Sequence, residues 1–294
     1  MIRLGVVGHR GYDGLAEVLR TLLRLAPELG IEPHFESDLH EVAGEGERLG
    51  DPETLDGLDA LLTLGGDGTL LRGARLLEGR QAPILGVNLG RLGFLTTVGA
   101  DEFEPALHRF ASGEFRAEAR MMLDARALGV DGAERRRWLA LNDVVLHKGG
   151  FARVVRLRVA ANGESVAAYA ADGIVISTPT GSTAYNLSAG GPVIYPTVES
   201  ILLTPISAHT LAIRPLVLPP SAEISLQADD GPEELLVTVD GQVGTTFAAG
   251  ELLSVKRAAR PVLIVRFPGT TFFARMRRKL GWGGLLDRDD QTRC

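Results

Sequence analysis

Residues 60–64 form an apolar run of strand length that ends in Gly65-Gly66-Asp67-Gly68-Thr69, and a helical pattern follows at once over 70–77. Strand, glycine turn and helix in that order put backbone N–H groups and the positive end of a helix at the carboxyl edge of a parallel sheet, where anions bind. Glycines keep side chains out of a phosphate's way. An aspartate inside such a loop repels an anion, so it calls for another role. It could take a proton from a hydroxyl, or hold a metal between phosphates. A glycine loop that carries a base is the minimal equipment for phosphoryl transfer to an alcohol. The plain structural alternative is a tight turn with Asp67 capping the helix. The G-x-x-x-x-G-K-[ST] loop is absent, and Gly8-His9-Arg10-Gly11 does not make the G-x-G-x-x-G pattern of dinucleotide folds.

The stretch around this loop alternates strands and helices. Strands are expected at 2–7, 32–35, 60–64 and 84–87. Helices are expected where Leu15, Val18, Leu19, Leu22 and Leu23, and then Phe103, Ala106, Leu107 and Phe110, fall on one face, with Asp101 as a cap for the second. That alternation implies a Rossmann-like parallel sheet with helices on its faces, over residues 1–114. From 115 to 267 strand follows strand between turn signals, a mostly-β domain. Asn162-Gly163 is a two-residue hairpin signal, and Asp131-Gly132, Asp230-Gly231 and Asp240-Gly241 mark further turns. Residues 235–239 and 262–267 are apolar runs of strand length within it. Arg135-Arg136-Arg137 is expected in a solvated hairpin turn. The tail 272–280 has helical spacing, and the chain is expected to end back on the first domain, with 268–294 packed there.

Composition narrows the function classes. The chain of 294 residues carries 31 basic and 37 acidic side chains, a net charge of −6. That argues against a nucleic-acid binder working through a general positive field. No apolar segment has the length of a membrane span, and the N-terminal run is too short for a signal peptide, so no membrane partner is expected. The one cysteine, Cys294, forms no internal disulfide, which suits a cytoplasmic protein.

The string Gly65-Gly66-Asp67-Gly68-Thr69 resembles the signature of a kinase superfamily that contains NAD kinases, lipid kinases and 6-phosphofructokinases. The long stretch Asp172-Gly173-Ile174-Val175-Ile176-Ser177-Thr178-Pro179-Thr180-Gly181-Ser182-Thr183-Ala184-Tyr185-Asn186-Leu187-Ser188-Ala189-Gly190-Gly191-Pro192 is similar to the glycine-rich motif of NAD kinases in particular. Asn88-Leu89-Gly90-Arg91-Leu92-Gly93-Phe94-Leu95, Leu141-Asn142-Asp143, Asp240-Gly241-Gln242 and Lys279-Leu280-Gly281-Trp282-Gly283 match further segments in the same order.

The resemblance implies ATP-dependent phosphorylation of the 2′-hydroxyl of NAD's adenosine ribose. It makes Asp67 the general base and gives phosphate contacts to Gly65, Gly66, Gly68 and Thr69. NAD contacts fall to Asp67, Gly68, Arg72, Asn142, Asp143, Arg153, Asp172, Thr183, Ala184, Tyr185, Asn186, Leu187, Ser188 and Gln242. Arg72, one turn into the helix after the loop, is close enough to meet a phosphate. Mg2+ would come with ATP and be held by phosphate oxygens and water rather than by a protein cluster. Inorganic polyphosphate is an alternative donor, and a homodimer or homotetramer is implied. Two departures stand out: Asp143 where the family pair is usually Asn-Glu, and Ala170 where some relatives carry a polar residue. A lipid kinase would need an apolar acceptor groove, which the polar, small-residue second motif does not offer.

Overall fold

The computed structural model describes all residues except 45, 50, 51, 92, 150–154, 210, 211, 229–234, 249, 270 and 283–294. The chain divides into two compact units, one of 1–77, 82–118 and 263–294, the other of 78–81 and 119–262.

The first unit runs β1 (Ile2–Gly8), α1 (Leu15–Leu29), β2 (Ile31–Glu36), α2 (Ser37–Ala43), β3 (Glu47–Leu49), α3 (Pro52–Asp56), β4 (Ala60–Gly65), α4 (Asp67–Leu76), β5 (Ile84–Asn88), β6 (Val98–Gly99), α5 (Phe103–Ala111) and β7 (Arg116–Arg120). The sheet order is β3-β2-β1-β4-β5, and the neighbouring pairs among these five strands are parallel. Val18, Leu19, Leu22 and Leu25 of α1 and Phe103, Leu107 and Phe110 of α5 bury against Leu4, Val6, Leu62, Leu64, Leu85 and Val87. The opposite face takes α4 at close range: a Cβ on Gly73 would lie 2.7 Å from the Thr63 methyl. α1 ends where Gly30 turns left-handed at φ 64°.

The second unit holds β8 (Leu123–Leu128), β9 (Glu134–Ala140), β10 (Asp143–Lys148), β11 (Val155–Ala161), β12 (Glu164–Ala171), β13 (Gly173–Ser177), α6 (Tyr185–Ser188), β14 (Ile201–Ile206), β15 (Leu216–Leu218), β16 (Ile224–Ala228), β17 (Leu235–Val239), β18 (Val243–Phe247) and β19 (Leu252–Arg257). Two six-stranded sheets form, β15-β14-β13-β10-β17-β18 and β12-β11-β16-β19-β8-β9. Side chains alternate across a strand, so Val144 and Leu146 of β10 join the core with Leu157, Val159, Ile174 and Leu226, while Asp143, Val145 and His147 line a cavity on the other side. Asn162 and Gly163, at φ 52° and 80°, make the expected two-residue hairpin, while Asp240 and Gly241, at 51° and 64°, begin a three-residue turn between Val239 and Val243.

The last two elements, β20 (Val262–Arg266) and α7 (Phe272–Leu280), complete the first unit. β20 lies parallel to β5 in the first sheet. This corrects the reading of 262–267 as a strand of the β-rich part: an apolar run of that length carries no mark of which sheet it joins. Asp101 does not cap α5; it sits inside a 3-10 turn, Ala100–Glu102, that leads into the helix. The arginine run is a strand segment of β9, not a turn, and its arginines have partners. Arg137 pairs with the buried Asp124 at 2.9 Å, Arg135 with Asp131 at 2.7 Å, and Arg136 with Thr245. Asp230-Gly231, Arg153 and Gly283 lie outside the described residues.

Candidate active site

β4 delivers the glycine loop to the carboxyl edge of the first sheet, and α4 begins at Asp67 itself. Gly65 cannot be substituted without a clash, because a Cβ there would fall 2.2 Å from the Thr69 hydroxyl. Gly66 is the N-cap of α4, and no side chain caps this helix. Asp67 therefore does not play the capping role that the loop alone would allow. Its carboxylate turns instead to residues 94–96, where backbone N–H groups converge on it. Phe94 donates to Oδ2 at 2.7 Å, and Leu95 and Thr96 donate to Oδ1 at 2.9 and 3.2 Å. Gly93 makes that approach possible, since a Cβ there would lie 1.9 Å from Oδ1. A carboxylate oxygen accepts through two lone pairs. Oδ1 is filled by its two amides, while Oδ2 holds one amide and keeps a lone pair among the described residues.

Arg72 is in the right turn of α4 but faces elsewhere. Its guanidinium donates to Glu36 at 2.6 and 2.9 Å and to the Gly8 carbonyl at 2.6 Å, tying α4 to the ends of β1 and β2. A phosphate would have to compete with that ion pair.

In the second unit a cavity of about 450 Å³ is lined by Asn142, Asp143, Val145, His147, Tyr185 and Asp240 among others. Asp240, at the β17–β18 turn, accepts from the backbone N–H groups of Leu141, Asn142 and Asp143 at 3.3, 2.7 and 3.3 Å. Asp143 is 3% exposed, and its carboxyl has no hydrogen-bond partner among the described residues. Burial, and then the neighbouring Asp240 carboxylate, push its pKa up to about 7. An acceptor of this kind is completed by a ligand that brings donors, such as the two hydroxyls of a ribose.

The second motif divides into scaffold and surface. Ser177 and Thr178 fix the 141–142 backbone, their hydroxyls donating to the Asn142 and Leu141 carbonyls at 3.1 and 2.5 Å. Gly181 packs against this segment, where a Cβ would meet the Asn142 carbonyl at 2.1 Å. Asn186 is fully buried. Its amide donates to the Ser182 and Pro192 carbonyls at 3.1 Å and its oxygen accepts from Thr204 at 2.7 Å, so its side chain serves the loop. Tyr185 and Ser188 are exposed; Thr183, Ala184 and Leu187 are half-buried. Ala184 and Tyr185 line the Asp143 cavity.

Asp172 and Gln242 are not brought to that cavity's lining. Asp172 pairs with Lys148 at 2.7 Å, at the far end of β10 from Asp143, about 17 Å away by strand rise. Gln242 is exposed in the β17–β18 turn, its N–H donating to the Val239 carbonyl. Sequence reasoning gave no site role to the 93–96 segment or to Asp240, whose contacts with Asp67 and with 141–143 span 27 and 97 positions. Among the described residues no three His, Cys, Asp or Glu side chains are grouped to hold a metal.

Two family models match the chain: the ATP-NAD kinase N-terminal domain over residues 21–115 and the ATP-NAD kinase C-terminal domain over 141–267. The NAD kinase of Gemmatimonas aurantiaca is 62% identical, covering 99% of this chain and 100% of its own length. That of Syntrophotalea carbinolica is 39% identical over 96% and 99%. Among solved structures, a yeast NADH kinase complexed with NADH superposes with a TM-score of 0.85 at 26% identity, over 96% of this chain and 88% of that one. An NAD kinase from Archaeoglobus fulgidus in complex with ATP gives 0.74 at 26%, over 95% and 98%. With both domain models matched in order and full-length relatives at this identity, the chain belongs to the ATP-NAD kinase family.

Proposed function

We propose that Asp67 is the general base of the NAD kinase reaction this chain carries out, in which a phosphoryl group passes from ATP to the 2′-hydroxyl of NAD's adenosine ribose to give NADP. One observation carries the reading. Three backbone amides orient the carboxylate and leave one lone pair of Oδ2 open at the glycine loop. A secondary hydroxyl is a poor nucleophile at neutral pH, and a positioned carboxylate that takes its proton accelerates attack by about 10²–10⁴. The hydroxyl oxygen bonds to the transferred phosphorus, the bond to ADP breaks, and the proton rests on Oδ2. Gly65, Gly66, Gly68 and Thr69 would cradle the donor's phosphates.

In the second unit, Asn142 and Asp143 would bind the ribose, with Ala184 and Tyr185 beside it and Thr183, Leu187 and Ser188 adjoining. Arg72 would contact NAD only by leaving Glu36. Arg153, Asp172 and Gln242 complete the proposed NAD set on resemblance alone, and Asn186 supports the loop from within.

Mg2+ would accompany ATP and neutralise its charge. Phosphate oxygens and water would supply its ligands, which leaves Oδ2 of Asp67 to the hydroxyl proton. Inorganic polyphosphate presents the same anionic face and is a second candidate donor. A cytoplasmic location fits a chain whose one cysteine is Cys294. A homodimer or homotetramer is supported by β12, an edge strand whose Ser165, Val166, Ala167 and Ala168 put no charge on the edge.

The test is a coupled assay with NAD, ATP and Mg2+, reading NADP with an NADP-specific dehydrogenase. Time-dependent NADP whose rate falls by about 10² or more in Asp67→Asn is the expected result. NAD binding with no turnover on ATP or polyphosphate would make the chain a nucleotide sensor instead.

A further inference from the structure

The amides that hold Asp67 belong to a segment clamped from behind by the end of the chain. As Phe94, Leu95 and Thr96 point their N–H groups at Asp67, their carbonyls are taken by two buried arginines. Arg275 of α7 donates to Phe94 and Thr96 at 3.1 and 3.4 Å, and Arg266 of β20 donates to Leu95 at 2.8 Å. One turn beyond Arg275 on the same face of α7 is Lys279. Its ammonium lies 3.8 Å from Asp67 Oδ2 and 4.7 Å from the centre of the Phe94 ring. At 3.8 Å it forms an ion pair that lies beyond hydrogen-bond reach, so it does not fill the lone pair of Oδ2. The lysine thus stands beside the oxygen that the base reading needs.

We propose that Lys279 is a positioning residue for Asp67: its ammonium holds Oδ2 toward the reacting hydroxyl and offsets the carboxylate's charge as the anionic donor enters. The proposal rests on Asp67 being the base. The physical need is plain. The glycine loop must accept a polyphosphate beside a carboxylate, and two anions brought together without a fixed cation repel each other. The ammonium is fixed from two sides, by Asp67 and by the negative face of the Phe94 ring. Its side chain is 37% exposed, so removing its charge leaves no buried polar group behind.

Lys279→Met keeps the stem against Phe94 and deletes the charge; Lys279→Arg keeps a cation. Steady-state kinetics on both, and on Lys279→Met in an Asp67→Asn background, decide the matter, with thermal melts confirming folding. Expected is a fall in kcat of about 10-fold for Lys279→Met with the KM for NAD within about twofold, most of the loss recovered in Lys279→Arg, and no further fall when Asp67 is already asparagine. A kcat for Lys279→Met within about twofold of wild type overturns the proposal. So does a loss that adds fully to that of Asp67→Asn, because the lysine then acts independently of the carboxylate. An Asp67→Asn enzyme with full activity removes the base and this inference together. An inactive Asp67→Asn beside a fully active Lys279→Met removes the inference alone.

Discussion

Replacing Asp143 by asparagine keeps the shape of the side chain and deletes a charge that burial beside Asp240 disfavours. Burial and the Asp240 carboxylate move the Asp143 pKa from 3.8 to about 7. At about 1.36 kcal/mol per pH unit, ionising this group in the folded chain costs roughly 4 kcal/mol more than in the unfolded one. The sign follows from proton uptake. Between about pH 4 and 7 the folded state holds this proton and the unfolded state has lost it, so stability falls as pH rises through that window and levels off above it. Asp143→Asn lacks this dependence. Urea unfolding of both proteins should give similar stabilities near about pH 4, and a variant more stable by up to about 4 kcal/mol at about pH 8. Binding should run the other way. A ribose diol donates to the ionised carboxylate, so the affinity of the wild type for NAD should weaken below about pH 7, and this step should be absent in Asp143→Asn. A stability gap of the same size at both ends of the pH range would refute the burial argument.

Asp67→Asn should lower kcat by about 10² or more while leaving NAD affinity, by titration calorimetry, within a few-fold. Gly93→Ala places a Cβ 1.9 Å from the Asp67 carboxylate; it should displace the base and cost about 10² in kcat, with a much smaller change in NAD affinity. Gly181→Ala drives a Cβ to 2.1 Å from the Asn142 carbonyl. It should destabilise the chain by about 1–3 kcal/mol in urea titrations and raise the KM for NAD.

What could be read from the sequence was what sits close together along it. The strand–glycine–helix unit at 60–77, the helical stripes of α1 and α5, the turn at Asn162-Gly163 and α7 are local patterns, and each appears where its periodicity put it. The elements missed or given to the wrong sheet are short or non-local. β3 has three residues, too few for a period to show. β20 is an apolar run like its neighbours, and only pairing with β5 gives it to the first sheet. Partners escape for the same reason. Nothing in the sequence near Arg72 shows that Glu36 will occupy it, and the arginines that clamp 94–96 come from more than 170 positions away.

The two aspartates at the centre of the proposed chemistry show how far residue type alone can go. Asp67 and Asp143 are both single acidic residues between apolar runs, and both could be named from motifs. Their chemistry differs because their surroundings differ. Asp67 is held in place by three backbone amides, with the Lys279 ammonium 3.8 Å from Oδ2. Asp143 lies in a buried pocket where the amides of 141–143 have gone to Asp240, which leaves it beside a like charge and short of donors. One environment suits a group that must accept a proton during turnover, the other a group that becomes satisfied when a hydroxylated ligand arrives. That allocation of amides is set by how the 93–96 and 141–143 segments fold around the two carboxylates, and no motif records it.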